Sequence, residues 1–362
     1  MKTSKLSMAV LLAATGLVAG GANAAAIIDN GTVQIGVRDL GDLNVNGGTS
    51  AAGSGTTVVG LRSMSTNSDS TSPGCTCEGW GVGIASTGQA GYANSAVGTA
   101  NLSLVSFTST ANSAVSVVNV LNATGAAILQ VSHDYHPLAT TPYLYETVVK
   151  ITNLTGANLA AGDLVYRRVM DWDIPSPGNE SVSIQGVPAL RGIANGSNVR
   201  KTDNNGFNSG NPFSFTSYGL QNTNFTNSRS GNLQGSSSSD QGALFDFEFE
   251  ALAAGATRVF ATYYGVAPDK ATADAARSLV DGDASTVDIA LYSYGSCSAG
   301  LVGCDPATGA PDTFIFGFGS SASGVLLPPP PPGGGTVPEP ATLGLLSLAM
   351  AGMGLSRRKR AA

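Results

Sequence analysis

Short runs rich in Val, Ile, Thr and aromatic residues, with polar residues interleaved, recur along most of the chain. Period-two patterning of this kind predicts half-buried strands. The runs are 32–37, 101–108, 114–121, 127–133, 144–153, 164–172, 181–187, 243–249, 258–264 and 314–318, and Gly, Asn or Pro separates most of them. Only 269–280 carries a helical spacing, with Ala271, Ala275, Ala276 and Leu279 on one face and Asp269 in position to cap it. Residues 204–240 are Asn, Ser, Gly and Phe with weak periodicity, which predicts long surface loops. No repeat appears at solenoid or propeller periods. The expectation is a mainly β protein: a large antiparallel β-sandwich with one short helix, its body at 25–327 built as one sandwich or two packed ones.

Composition adds the setting. Charged residues are 12% of the 362 and hydrophobic residues 42%, with 47 glycines. Such a chain can bury a core, and its polar surface must be made of hydroxyls and amides. That suits an extracellular β protein with Thr and Val in strands and Gly, Asn and Ser in turns. A net charge of −6 argues against nucleic acid as a partner, because phosphates need Lys and Arg. With two histidines in the chain, a multi-His metal site is excluded.

Both ends read as addresses. Residues 1–24 form a signal peptide: Lys2 and Lys5, an apolar stretch at 6–18, then Ala22-Asn23-Ala24 as the signal peptidase site. At the other end, 328–336 is a spacer of five prolines followed by a Gly hinge. The tail at 337–362 holds Pro338-Glu339-Pro340, an apolar stretch at 341–355, and the basic stop Arg357-Arg358-Lys359-Arg360. An apolar helix with a basic flank places that flank in the cytoplasm, and fifteen residues suit a transient inner-membrane span. This order closely resembles the PEP-CTERM sorting domain, over the tail alone. The resemblance implies an exosortase as partner, with Pro338, Glu339 and Pro340 as its recognition element. It also implies removal of the tail nearby, and delivery to the surface or exopolysaccharide matrix of a Gram-negative-type cell.

The cysteines agree with export. Four of them, Cys75, Cys77, Cys297 and Cys304, suggest two disulfides. Cys297 and Cys304 can pair locally. A bridge between Cys75 and Cys77 would be tight, so a long-range pairing of each with one of the C-terminal two stays open. Two further stretches, YETVVKITNLT at 145–155 and LAAGATRVFATYY at 252–264, look like strand pairs in large β-sandwiches of secreted bacterial proteins, carbohydrate-active ones included.

The densest polar grouping is Tyr166-Arg167-Arg168-Val169-Met170-Asp171-Trp172-Asp173. On a strand, Tyr166, Arg168, Met170 and Trp172 share one face, and Arg167, Val169, Asp171 and Asp173 the other. The favoured reading is an internal Arg–Asp network with Trp172 in the core. The rivals are a sugar subsite, with Trp172 stacking on a pyranose, and calcium held by Asp171 and Asp173. Glu78, in Glu78-Gly79-Trp80-Gly81, offers a second carboxylate for glycoside hydrolysis beside Asp171, against the simpler reading of a Gly turn with Trp80 over a core edge. His133 and His136 fall on opposite faces of an extended segment, which is wrong for shared ligation.

No cofactor is required by any of these patterns, calcium being the one candidate. The leading expectation is a non-enzymatic structural or adhesive component of the cell surface or matrix. A carbohydrate-binding module, and a polysaccharide-active hydrolase or lyase using Asp171, Asp173 and Glu78, are the alternatives.

Overall fold

The computed structural model describes residues 24–174, 180–185, 193, 198–216, 233–234, 240–280, 291–297 and 303–318. The chain divides into two compact units, Met1–Pro328 and Pro329–Ala362. Residues 1–23 of the expected signal peptide, and the tail with its expected membrane helix at 341–355, lie outside the described residues. Among those described, no helix is long and apolar enough to cross a membrane.

The body is mainly β. Among the described residues its larger sheet has nine strands, in the order β15 (Leu233–Gln234), β13 (Glu180–Gln185), β18 (Leu291–Cys297), β19 (Thr313–Phe318), β17 (Thr257–Ala267), β11 (Leu144–Asn153), β10 (Ala127–Pro137), β9 (Ala114–Leu121) and β8 (Leu102–Ser109). A five-stranded sheet runs β14 (Val199–Asp203), β16 (Gly242–Glu248), β12 (Leu164–Asp171), β6 (Gly79–Ile84) and β7 (Gln89–Asn94). Near the N-terminus, β1 (Ala25–Asp29), β2 (Val33–Arg38) and β5 (Leu61–Ser63) make a small third sheet, and β3 (Val45–Asn46) pairs with β4 (Val58–Val59). Neighbouring strands are antiparallel.

The two large sheets meet face to face through aromatic side chains. Phe245 of β16 packs edge-on against Phe316 and Phe318 of β19, and Tyr166 of β12 against Phe260 of β17. Trp80 of β6 lies 4.5 Å, centroid to centroid, from His133 of β10. Tilted and edge-on pairs of this kind add about 0.5–1.5 kcal/mol each beyond the area they bury. The helix α1 (Lys270–Ser278), capped by Asp269 accepting from the Thr272 N–H, sets Ala273 and Ala276 among Ala261, Tyr292, Tyr294 and Ile315 on the outer face of the nine-stranded sheet.

Strand β12 is buried on both faces along its whole length. Leu164, Tyr166, Arg168 and Met170 form one side-chain row; Val165, Arg167, Val169 and Asp171 form the other. The first row enters the core between the sheets, where Leu164, Tyr166 and Met170 join the main apolar cluster. The second is covered by the segment 204–216. That segment was expected on the surface; residues 204–206, 208 and 210 are instead buried. Its backbone lies so close to the sheet that a Cβ on Gly81 would strike the Gly210 carbonyl. This stretch of low charge and weak periodicity is a lid that meets β6 through its backbone at Gly210 and through the Phe213 ring at Gly83.

The turn at 39–43, between β2 and β3, plugs into the same core. Trp80 donates to the Leu40 carbonyl (2.9 Å), Tyr135 to Gly41 (2.8 Å) and Ser116 to Asp39 (2.6 Å). Gly41 has φ +85°, and a Cβ there would meet the His133 ring at 2.7 Å, so both conformation and space demand glycine.

Candidate functional site

The structure divides the 166–173 cluster between three environments. The first is a polar network in the core. Arg168 is fully buried and donates from Nε to Glu78 Oε1 (2.6 Å) and from Nη2 to the Tyr135 hydroxyl (2.8 Å). Glu78 Oε1 also accepts from Tyr264 (2.7 Å), and Glu78 Oε2 from the Leu43 N–H (2.7 Å). His133 Nε2 meets Tyr166 Oη at 3.1 Å. Burial, then the nearby Arg168 charge, holds the His133 pKa well below its ordinary value, so the ring is neutral. Glu78 has therefore left the Gly turn expected for it and lies deep in the core, just ahead of β6.

The second environment is on the opposite face of β12. Arg167 forms a two-pronged ion pair with Asp246, its direct cross-strand neighbour on β16: Nε to Oδ1 at 2.6 Å and Nη2 to Oδ2 at 2.8 Å. Its Nη1 donates to the carbonyls of Ser209, Asn211 and Ser214, at 3.0, 2.8 and 2.6 Å. Arg167 thus fastens the 204–216 lid to the sheet. The planar guanidinium suits a site that satisfies one carboxylate and several carbonyls together.

The third is acidic. Asp171, Asp173 and Asp240 each place a carboxylate oxygen within 4.8 Å of the others. Glu180, at the start of β13, is fully buried and close enough for charge repulsion with Asp171, Asp173 and Asp240. Burial, followed by repulsion from Asp173, Asp240 and Glu180, pushes the Asp171 pKa well up. Burial first, then Asp240, takes Asp173 to about 7; burial takes Glu180 to about 8 and raises Asp240. Asp173 accepts from the N–H groups of Gly74 and Cys75, and Glu180 Oε1 from that of Gln241. Asp171 Oδ1, Asp173 Oδ2, Glu180 Oε2 and Asp240 Oδ1 have no hydrogen-bond partner.

The predicted Arg–Asp network is thus present with different partners: neither arginine meets Asp171. The proposed carboxylate pair of Glu78 and Asp171 is not assembled, because one lies in the core with Arg168 and the other on the opposite face of β12. Trp172 is fully buried, donating to Ser293 Oγ at 3.0 Å, and Trp80 is fully buried as well. Neither indole offers a face to a sugar ring. Sequence reasoning missed Tyr135, Tyr264, Asp246, Glu180 and Asp240. Asp246 carried a signal, as an acid between two phenylalanines of an apolar strand, where an unpaired charge would be costly.

His133 and His136 do face opposite ways: His133 is in the core, while His136 is half-exposed with Glu146 at 3.1 Å and Asp134 at 3.4 Å. The cysteines pair as Cys75–Cys77 and Cys297–Cys304. The long-range pairing left open by the sequence does not occur. Cys297 ends a strand of the nine-stranded sheet, and its neighbour Cys304 lies 6.0 Å away, Cα to Cα, within normal bridging reach.

The family model for the PEP-CTERM protein-sorting motif matches residues 336–360. The C-terminal tail is a PEP-CTERM sorting motif. The motif indicates an exported protein with an exosortase as processing partner, and Pro338, Glu339, Pro340 and the basic stop Arg357-Arg358-Lys359-Arg360 fall inside the match. No curated protein matches the chain. Among solved structures, the chain is similar to a galactose mutarotase related enzyme from Lactobacillus acidophilus, at 9% identity over 81% of this chain and 84% of that one. The TM-score is 0.29, too low for the likeness to carry an argument.

Proposed function

We propose that this is a non-catalytic building component of the bacterial surface or extracellular matrix: a β-sandwich body exported behind a signal peptide, sorted by an exosortase and released from residues 337–362. The observation that carries the reading is the destination marked by the sorting motif. The inward use of polar chemistry supports it. Arg167, Arg168, Glu78, Trp80 and Trp172 all serve to close the body, joining sheet to sheet, turn to core and lid to sheet. A rigid body with a hydroxyl- and amide-rich, weakly charged surface suits life among hydrated polysaccharide chains.

The test is a comparison of the full chain with one truncated before Val337, expressed in a host that has an exosortase. The full chain is expected in the surface and matrix fractions, shortened at the tail by intact mass. The truncated chain is expected to be absent from both. Equal delivery of the two refutes the sorting role. Release of new reducing ends or unsaturated sugars when the purified protein meets the host's own exopolysaccharide refutes the non-catalytic role.

A further inference from the structure

The acidic cluster at the end of β12 lacks the arginine that four other buried acids have. Glu78 has Arg168, Asp246 has Arg167, Asp69 has Arg62 at 3.1 Å and Asp42 has Arg38 at 2.8 Å. Asp171, Asp173 and Glu180 are as buried as these, at 1%, 1% and 0% exposure, and no Lys or Arg is among the groups that set their charge. Buried carboxylates without a counter-charge are costly, and normally a cation or a proton meets the need.

Two features separate the cluster from a chance gathering of acids. The Asp171 carboxyl is sealed from water and has no donor at all: Oδ1 has no partner, and Oδ2 touches only the Cys75 sulfur, which is bridged and has no proton to give. Glu180 comes from the other large sheet, and it too leaves Oε2 unpartnered at full burial. Around them the backbone gives way. A Cβ on Gly74 would collide with the Asp173 carboxyl, and one on Gly206 would sit 2.8 Å from Asp171 Oδ1.

The geometry points to a calcium site made by Asp171, Asp173 and Asp240, with Glu180 beside them. All the donors are hard carboxylate oxygens, with no His nitrogen or free thiolate among them, which excludes a zinc- or copper-type site. Their mutual spread of up to 4.8 Å matches the opposite sides of one calcium ion, whose oxygen ligands stand at about 2.3–2.6 Å. Magnesium holds its ligands at about 2.0–2.1 Å and demands a tighter shell. Asp171 ends β12 and Asp173 follows it by two residues, Asp240 precedes β16, and Glu180 opens β13. The ion would tie both large sheets together where chain segments enter and leave them. The inference does not rest on the structural role proposed above; an ion here is compatible with any function of the body.

The test uses the exported protein, stripped with EDTA and titrated at pH 7 with CaCl2, MgCl2 or TbCl3 alone. One calcium per chain is expected by calorimetry. A rise in Tm on adding calcium, and terbium luminescence excited through Trp172, which lies between the two aspartates in sequence, are expected too. Asp171→Asn and Asp173→Asn are each expected to weaken binding tenfold or more, while Asp134→Asn, on the exposed side of β10, leaves it unchanged. If both cluster variants fail to fold, the wild-type stoichiometry and its terbium signal, competed away by calcium, decide alone. The inference is overturned by equal Tm in EDTA and in calcium with no binding heat, by calcium binding that Asp171→Asn and Asp173→Asn leave intact, or by tighter binding of magnesium than of calcium. The first of these outcomes would mean that the acids are held by shared protons instead.

Discussion

Replacing Arg168 by Met is expected to destabilise the body by about 3–5 kcal/mol, the usual cost of breaking a buried ion pair from one side. Arg168 and Glu78 are both fully buried, so no solvent screens the change. Arg168→Met keeps most of the side-chain volume and removes the donors to Glu78 Oε1 and to the Tyr135 hydroxyl. Tyr135 still donates to the Gly41 carbonyl, so it loses only an acceptor's partner. Glu78 retains Tyr264 and the Leu43 N–H, two neutral donors for a full charge with no cation opposite it. At roughly 2 °C per kcal/mol for a body of this size, Tm should fall by about 6–10 °C.

The double variant Arg168→Met/Glu78→Leu sharpens the argument. It removes both charges and should cost much less than the sum of the single changes. It should still cost about 1–3 kcal/mol, since the Leu43 N–H loses its acceptor inside the core. Urea unfolding at pH 7, followed by the fluorescence of the two buried tryptophans, measures Arg168→Met, Glu78→Leu and the double variant. A loss below about 1 kcal/mol for Arg168→Met, or simple additivity in the double variant, would refute the claim that this pair is a coupled unit in the core.

His133 gives a pH signature. Its folded pKa lies well below 6.5, so between that value and 6.5 the unfolded chain binds a proton that the folded one refuses. Its contribution is therefore fully present above pH 6.5 and is lost as pH falls, by about 1.4 kcal/mol per unit. The stability advantage of wild type over His133→Gln should shrink as pH falls from 6.5 to 5; a difference that stays constant contradicts the buried neutral ring. Peptide mapping of the non-reduced exported protein should recover Cys75 linked to Cys77 and Cys297 linked to Cys304; any peptide joining the first pair to the second contradicts this connectivity.

Much of the strand pattern was legible because half-buried strands write their environment into alternate residues. Strands β9 and β11 fall where the alternation placed them, and α1 lies within the stretch whose spacing and Asp269 cap predicted it. Strand β6, Gly79–Ile84, was read as a turn. It is buried on both faces, and its glycines reflect close approach of the 204–216 lid and of β7 rather than a change of direction. Strand β18, Leu291–Cys297, was missed for a related reason: with both faces covered, Tyr and Ser alternate without a polar side. The polar cluster was visible as residues but not as pairs. Arg168 reaches Glu78 across 90 positions and Arg167 reaches Asp246 across 79, and no local spacing encodes such choices. Asp240 and Glu180 were hidden differently, one at the edge of a stretch read as loop and the other just outside a predicted strand.

The plug formed by the 39–43 turn bears on when this protein becomes a folded object. The turn belongs to the first part of the body to be synthesised. Yet it docks onto Trp80, Ser116 and Tyr135, and the Glu78 that anchors Leu43 is itself completed by Tyr264, 186 positions further on. Contacts so distant along the chain are slow to form and cannot begin before their partners exist. The leading segment therefore has no finished berth while the chain is still being made. The berth of the 39–43 turn is complete only once the chain through Tyr264 exists.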